Sequence, residues 1–251
     1  MLKTLQSRIY QGKQYIEDIK NANINEHFRG FPVLKNEQCI KCQKCIQNCP
    51  TGAINLAPLS IDMGKCTFCG ECNIICPSKA ISFSSEYKLG STSREKLIIT
   101  ENITQEEYKQ LAIESNEKIK KIFGHSLKLR QVSASGCNGC EMELNACSNV
   151  NFDMGRYGID FVASPKHADG IVITGPISEN MAYSLEHCYQ SVPNPKIVIL
   201  TGACAISGGV FQNAEQINRE FISKYKIDLY IPGCPTHPLT FINAVLDFIS
   251  K

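Results

Sequence analysis

Eight cysteines between residues 39 and 76 form an internal repeat that limits how this chain can fold. Residues 39–54 read CIKCQKCIQNCPTGAI and residues 66–81 read CTFCGECNIICPSKAI, so the two segments align with an offset of 27 residues. Seven of sixteen aligned positions are identical: the four cysteines, the proline and the closing Ala-Ile pair. Because one such unit buries little surface alone, the repeat predicts two halves packed about a pseudo-twofold axis.

Each unit has the spacing C-x2-C-x2-C-x3-C-P, which is the spacing of bacterial dicluster ferredoxins. Three thiolates spaced by two residues hold one [4Fe–4S] cluster, and the fourth cysteine ligates the other cluster. The predicted ligands are Cys39, Cys42, Cys45 and Cys76 for one cluster, and Cys49, Cys66, Cys69 and Cys72 for the other. Two tetrahedral zinc sites are the alternative, but a doubled C-x3-C-P step is not typical of zinc motifs.

The rest of the composition narrows the class of protein. The net charge of +2 predicts neither nucleic-acid binding nor an acidic partner, and no run of apolar residues is long enough to span a bilayer. The first twenty residues, MLKTLQSRIYQGKQYIEDIK, show no export signal, so we expect a cytoplasmic protein with reduced thiols. Fourteen cysteines in such a protein indicate metal ligation rather than disulfides.

The second half of the chain has an alternating pattern that is typical of an α/β domain. Apolar, strand-like runs occur at 127–132, 158–163, 170–174, 197–200 and 229–231. Helix-like segments lie near 179–190 and 213–225, and a last helix follows Thr236, a candidate cap, with Pro238 in its first turn. Strands that alternate with helices predict a parallel sheet covered on both faces.

Four cysteines of this half follow predicted strands directly. They are Cys137, Cys140, Cys204 and Cys234, in the segments GCNGCE, TGACAISGG and IPGCPTHP. Because ligands of open parallel sheets gather outside the carboxyl ends of the strands, these residues are expected to meet at one edge. The spacing favours a third metal centre there, with buried structural cysteines as the alternative.

Residues 86–126 contain no cysteine and are rich in Lys and Glu. Thr104 followed by Glu107 resembles a capping box, which predicts a helix that continues to about Phe123. We interpret this stretch as a solvated helical connector. It separates a dicluster domain at 37–85 from an α/β domain at 127–251, and residues 1–36 form an N-terminal segment. That segment carries a partial apolar face for docking or packing at Leu2, Leu5, Ile9, Ile16 and Ile19.

Several segments resemble a known family. GCNGCE, FDMGRYGIDFVASPKHADGIVITGPIS, TGACAISGG and YIPGCPTHP occur in the order found in the small subunit of group 4 membrane-bound [NiFe] hydrogenases of the formate hydrogenlyase type. That subunit is related to the 20 kDa, NuoB-like subunit of complex I. NEHFRGFPVLKNEQCIKC, CTFCGECNIICPSKAI and SSEYKLG resemble the separate ferredoxin-like, NuoI-like subunit of the same complexes. The chain is therefore similar to a fusion of the two subunits.

The resemblance implies an α+β dicluster ferredoxin domain followed by a flavodoxin-like α/β domain with a parallel sheet. It implies three [4Fe–4S] clusters, the third held by Cys137, Cys140, Cys204 and Cys234. The implied function is non-catalytic electron transfer between a [NiFe] hydrogenase large subunit and a ferredoxin or a formate dehydrogenase-type donor. Membrane-arm subunits would hold the protein peripherally on the inner face of the cell membrane.

Two other functions stay open. One is a subunit of a complex I-like quinone or ferredoxin oxidoreductase without nickel, although the CxxC pair at Cys137 and Cys140 is typical of hydrogenases. The other is a binding protein whose clusters are only structural, as in some nucleic-acid enzymes, but no basic patch supports it. Lys166 stands where many relatives have arginine, which weakens any bidentate role there.

Some residues outside the ligand sets carry two interpretations. Cys147 and Cys188 belong to no motif and are expected to pack as small apolar side chains. Glu141 and Glu143 follow the cysteine loop and are either contacts to the nickel subunit, including a proton path, or an exposed acidic turn. His167 is either an interface residue or a hydrogen-bonded core residue, and His237 is expected to start a helix.

Overall fold

The computed structural model describes residues 2–114 and 117–250, the last without its side chain. The N-terminal half is built from short elements that frame the cysteine repeat. In chain order they are α1 (Leu2–Gln11), β1 (Pro32–Leu34), α2 (Lys44–Gln47), β2 (Ile54–Leu56), β3 (Leu59–Asp62), α3 (Glu71–Ile75), β4 (Ile81–Phe83), β5 (Ile98–Thr100), α4 (Gln105–Leu111) and α5 (Glu117–Phe123).

The repeat folds as two copies of one backbone path. Strands β1 and β4 pair antiparallel, and β3 lies between β2 and β5 in a second antiparallel sheet. Three positions in each copy adopt the left-handed region, and they are related by the 27-residue offset. They are Lys41 and Phe68, Gln43 and Gly70, and Gly52 and Lys79. Both short helices, α2 and α3, begin directly after one of these left-handed residues.

Residues 86–126 differ from the solvated helix expected from their composition. Strand β5 completes the sheet of the dicluster half, and Ile99 in it is fully buried. The capping box at Thr104 and Glu107 forms as expected. However, α4 ends at Leu111, and α5 is a separate helix from Glu117, with residues 115 and 116 outside the described part. Tyr108 explains the packing of α4, because its ring lies 5.3 Å from that of Phe31 in the core.

The C-terminal half contains a five-stranded parallel sheet with helices along it. Its elements are β6 (Leu127–Ser133), α6 (Gly139–Ala146), β7 (Ile159–Phe161), β8 (Gly170–Thr174), α7 (Glu179–Ser191), β9 (Ile197–Thr201), α8 (Ala203–Ser207), α9 (Glu220–Lys224), β10 (Leu229–Ile231) and α10 (Pro238–Ser250). The strand order is β10-β9-β8-β6-β7 with parallel pairing throughout. Numbered within this sheet, that order is 2-1-3-4-5 read from β7, so the predicted flavodoxin-like topology is confirmed.

One predicted helix, at 213–225, is wrong for most of its length, since only α9 at Glu220–Lys224 forms. The preceding turns are fixed instead by Arg219, whose guanidinium donates hydrogen bonds to the carbonyls of Pro176, Cys204, Ala205 and Ile206. Burial lowers the pKa of Arg219 to about 10. This partly buried cation therefore ties the start of α9 to α8 and to the turn after β8.

The last helix, α10, is buried on most of its surface. Its buried residues include a stripe at helical spacing, formed by Leu239, Ile242, Val245, Leu246 and Ile249. The cap differs from the expectation, because the backbone N–H of Leu239 donates to Nδ1 of His237 at 3.2 Å. His237 therefore caps the helix where Thr236 was expected to do so. Within the described residues, no helix is long and apolar enough to cross a membrane.

Candidate metal centres

Four cysteines of the first predicted set line one small cavity of the dicluster half. They are Cys39, Cys42, Cys45 and Cys76. Cys39 and Cys42 come from the segment that leads into α2, Cys45 lies in α2, and Cys76 follows α3 of the other repeat copy. Burial raises the pKa of Cys45, and the neighbouring thiols of Cys39 and Cys42 shift it in the same direction. The fold thus brings these residues together across the two repeat copies.

The second predicted set also combines both repeat copies. Burial raises the pKa of Cys66 and of Cys72 to about 12. The Cys49 and Cys69 thiols act on both residues and raise each pKa further. Since such an effect requires proximity, Cys49 lies near Cys66 and Cys72 of the other copy. The Cys45 thiol also raises the pKa of Cys72, so the first and second sets are neighbours.

Backbone N–H groups point at several of these sulfur atoms, as a bound anionic cluster requires. The N–H of Ala53 donates to Sγ of Cys49 at 3.3 Å, and the N–H of Ala80 donates to Sγ of Cys76 at 3.3 Å. These two bonds are related by the 27-residue offset. Burial acts to raise the pKa of Cys76, but hydrogen bonds from Ser78 and Ala80 outweigh it, and the pKa falls below its ordinary value. The donors therefore favour thiolates at the closing cysteine of each unit.

The third predicted set lies at the carboxyl ends of the parallel strands. Cys137 and Cys140 follow β6, Cys204 follows β9, and Cys234 follows β10. Burial raises the pKa of Cys140 to about 12 and that of Cys204 to about 11. The Cys234 thiol further raises the pKa of both Cys140 and Cys204. The Cys137 thiol likewise raises the pKa of Cys204 and of Cys234. Residues almost a hundred positions apart thus meet at one edge of the sheet.

Gly202 makes room for this group of thiols. Its φ is +91°, and a Cβ atom built on it would lie 2.6 Å from Sγ of Cys140. A real Cβ atom does not approach sulfur so closely, so a larger residue here would displace the cysteine. A glycine held in a left-handed turn against a cysteine sulfur is the backbone arrangement expected where a chain closes around a cluster.

Glu141 is a buried carboxylate beside the third set. Its side chain is 8% exposed, and Oε1 accepts a 2.6 Å hydrogen bond from Oγ1 of Thr174. Among the described residues, nothing donates to its buried Oε2. Glu141 also contributes to the raised pKa of Cys140 and Cys204. Sequence reasoning missed Thr174, although it ends β8, and applying the strand-end rule to that strand would have found it.

The first and second halves of the chain share a cavity at which two cysteine sets approach each other. This cavity, of about 530 Å³, is lined by Cys69 of the dicluster half and by Cys234 of the sheet. Cys69 contributes to the raised pKa of Cys234, after burial and Cys137. Arg29 also lines the cavity, and its Nε donates to the carbonyl of Phe68 at 2.6 Å. The second and third cysteine sets are therefore neighbours.

The remaining residues that the sequence singled out take the following positions. Cys147 is fully buried and its Sγ donates to the carbonyl of Glu143, so it packs in the core as expected. Cys188 lies against the core near Arg130. His167 is exposed on a turn, so the interpretation as a hydrogen-bonded core residue is wrong. Burial raises the pKa of Glu143.

The donor chemistry of the three sets fits iron–sulfur clusters. All members are cysteines without disulfide partners, several backbone N–H groups face sulfur, and Gly202 leaves space at the third set. Across residues 2–114 and 117–250, no three His, Cys, Asp or Glu side chains are grouped around the position of a single metal ion. Cubane ligands, by contrast, bind separate iron atoms of one cluster.

Comparison with known proteins matches both halves. Residues 137–248 match the family described as NADH ubiquinone oxidoreductase, 20 Kd subunit, and residues 38–80 match the 4Fe-4S dicluster domain. A solved chain from the membrane-bound sulfane sulfur reductase, an archaeal respiratory membrane complex, is 27% identical with a TM-score of 0.43. That match covers 48% of this chain and 67% of the other.

Two curated relatives extend the match. A probable membrane-bound hydrogenase subunit, mbhJ, of Pyrococcus furiosus is 34% identical over 131 residues, which are 52% of this chain and 78% of that protein. Formate hydrogenlyase subunit 7 of Escherichia coli is 42% identical over 108 residues, which are 43% of this chain and 42% of that protein. The chain therefore belongs to the complex I-like and membrane-bound hydrogenase family of iron–sulfur subunits, with a 4Fe-4S dicluster domain joined to a 20 Kd-type domain.

Proposed function

We propose that this chain relays electrons through three [4Fe–4S] clusters between a [NiFe] hydrogenase large subunit and an electron carrier or formate-oxidising partner. The dicluster domain at 37–85 would hold two clusters, and the domain at 127–251 would hold the third. When bound, each cluster accepts and releases one electron at a time. The observation that carries the proposal is the cavity shared by Cys69 and Cys234, because it joins the two halves into one possible route.

The order of the relay follows from which cysteine sets are neighbours. The Cys45 thiol of the first set raises the pKa of Cys72 in the second set, and the Cys69 thiol of the second set raises the pKa of Cys234 in the third. The cavities support the same order, since Cys69 and Cys234 line one cavity and the four cysteines of the first set line another. The first set is therefore the outer end of the relay, and the third set is the end assigned to the large subunit.

The protein groups around each set hold thiolates and tune their electronic environment. Hydrogen bonds from Ala53 and Ala80 stabilise negative charge on Cys49 and Cys76. Glu141 adds negative charge beside the third set and is fixed by Thr174. Charge, hydrogen bonding to sulfur and solvent exposure set the potential of such centres, so these residues are expected to make the three potentials differ.

The identity of the large subunit can be tested on the intact complex. We expect nickel in the anaerobically purified complex, and we expect hydrogen gas to reduce the iron–sulfur centres of this chain. Metal analysis together with the visible absorption of the clusters measures both. A complex that lacks nickel but whose centres are reduced by a quinol or a reduced carrier would identify the complex I-like alternative. Centres that stay oxidised with every reductant would contradict electron relay altogether.

A further inference from the structure

The two copies of the cysteine repeat share one backbone but differ at the residue that precedes each short helix. Gln43 precedes α2 and Gly70 precedes α3, and both are left-handed, with φ of +63° and +81°. Since glutamine adopts this conformation in the first copy, the backbone path alone does not require glycine in the second. A close contact does: a Cβ atom built on Gly70 would lie 2.8 Å from Cδ of Arg29.

Arg29 binds the cysteine loop of the second copy, at residues 67–70. Its Nε donates to the carbonyl of Phe68 at 2.6 Å, and its Cδ packs against Gly70. This loop faces the C-terminal half, and Phe68 in it is only 8% exposed. The equivalent loop of the first copy, at residues 40–43, faces solvent, and Ile40 in it is 65% exposed. Arg29 is therefore attached to the loop that the fold covers.

The neighbours of Arg29 in the sequence fix its backbone between the two halves of the chain. The N–H of Gly30 donates to the carbonyl of Ser84, in the dicluster half, at 2.8 Å. On the other side, the ring of Phe28 meets that of His237 edge-on, with 5.4 Å between the ring centroids. Because His237 caps α10, this contact reaches the C-terminal half. The arginine is thus anchored to both halves.

The positive charge of Arg29 has no acidic partner in the part of the chain that the structure describes, since none of the ion pairs there includes this residue. The hydrogen bond to Phe68 uses Nε, which leaves the two Nη groups for other acceptors. Arg29 also lines the cavity of about 530 Å³ together with Cys69 and Cys234. A fixed cation therefore lies at the cavity that the second and third cysteine sets share.

We propose that Arg29 is a positioning residue for the electron step between the second and third centres, and that its charge raises the potentials of both. This inference rests on the proposed function, because it requires clusters at these two cysteine sets. Reduction adds one negative charge to a cluster, and a fixed cation nearby stabilises that state by an energy that falls with distance. The first set lines a different cavity, so Arg29 favours electrons on the second and third centres over the first.

Arg29→Gln tests the role of the charge. A redox titration of the complex containing this chain, followed by electron paramagnetic resonance, measures each potential separately. We expect the equilibrium constant for reduction of the second centre to fall about tenfold, which is about 59 mV for one electron. The third centre should shift in the same direction and the first should not shift. Arg29→Lys, which keeps the charge, should recover more than half of the loss.

Gly70→Ala tests the placement of Arg29 without removing its charge. The new Cβ would lie 2.8 Å from Cδ of Arg29, so the arginine must move, and the potential of the second centre should fall by less than in Arg29→Gln. Gln43→Ala is the matched control, since it puts alanine at the equivalent left-handed position of the first copy, and it should leave the second and third potentials unchanged. The double variant Arg29→Gln with Gly70→Ala should shift no more than Arg29→Gln alone. Iron content equal to that of the unaltered complex shows that each variant holds its clusters.

Three outcomes would overturn the role of Arg29. They are an equal shift of all three potentials in Arg29→Gln, no shift in that variant, and additive shifts in the double variant. Should Arg29→Gln lose iron, Gly70→Ala decides, and a second centre with its unaltered potential then contradicts the proposal. The relay is tested separately on the unaltered complex. If its centres titrate while Arg29→Gln changes none of them, the role of Arg29 fails and the relay stands. If no reductant reduces the unaltered centres, the relay fails.

Discussion

Cys69 and Cys234 line the same cavity although 165 positions separate them in the sequence, and the Cys69 thiol contributes to the raised pKa of Cys234. This relationship connects the dicluster half with the parallel sheet. In the proposed relay it makes the second cysteine set the neighbour of the third.

Replacement of Cys234 by alanine should remove one centre and leave the two ferredoxin-type centres. Iron should fall from about 12 to about 8 atoms per chain, because one cubane of four loses a ligand. Chemical iron analysis and electron paramagnetic resonance of the reduced protein measure the change. Cys188→Ala serves as the control and should keep all the iron. Loss of all three centres in Cys234→Ala would contradict independent cysteine sets.

Gly202→Ala should also disrupt the third set, although it removes no ligand. Its Cβ would lie 2.6 Å from Sγ of Cys140, so the sulfur or the turn must move. We expect loss of about four iron atoms per chain, as for the ligand variant. Gly52→Ala is the matched control, since Gly52 also has a positive φ but has open space around it. Equal iron loss in both variants would show that backbone strain, and not contact with sulfur, is responsible.

Glu141→Gln should change the potential of the third centre alone. The substitution removes a buried negative charge beside Cys140 and Cys204. Loss of this charge stabilises the reduced centre, which is more negative than the oxidised centre. The midpoint potential should rise by something on the order of tens of millivolts. A redox titration followed by electron paramagnetic resonance measures it, with Glu106→Gln on the exposed side of α4 as the control. A shift of all three potentials, or of none, would contradict the assignment of Glu141.

The folded protein should be less stable in mild acid than at neutral pH, because His237 then loses its stabilising contribution. Burial lowers its pKa, so the folded state favours the neutral ring, whose Nδ1 accepts the N–H of Leu239. This contribution is present above a pH of about 6.5 and is lost as the pH falls below it. Urea unfolding at pH 7.5 and 5.5 measures the loss. In His237→Asn, which keeps a cap acceptor without this titration, the difference should shrink.

The control for this experiment is His167→Asn, since His167 is exposed on a turn. It should keep the full difference in stability between the two pH values. If His237→Asn and His167→Asn behave alike, the acid sensitivity does not arise from the cap of α10.

Much of the C-terminal half was predictable because its strands are continuous apolar runs. The runs at 170–174 and 229–231 match β8 and β10 residue for residue. The prediction failed where long-range contacts decide the structure. Arg219 binds carbonyls from two other segments, and this leaves only a short helix in the predicted segment at 213–225. Such contacts have no local periodicity in the sequence.

The candidate centres were also predictable only where local sequence decides their structure. The cysteine spacing predicted which residues approach one another, because ligands at fixed short intervals leave few arrangements. The spacing carries no information about Thr174, which reaches Glu141 only through the pairing of β6 with β8. Nor does it show that the second repeat copy faces the sheet while the first faces solvent. That difference depends on how the two halves pack.

The position of Cys69 and Cys234 in one cavity offers the most direct test of the proposed relay. Electron paramagnetic resonance of the fully reduced protein should show magnetic interaction between the second and third centres. That interaction should disappear in Cys234→Ala while the interaction within the dicluster half persists. Independent signals from all centres in the unaltered protein would contradict the account, as would a colourless protein with zinc at the cysteine sets.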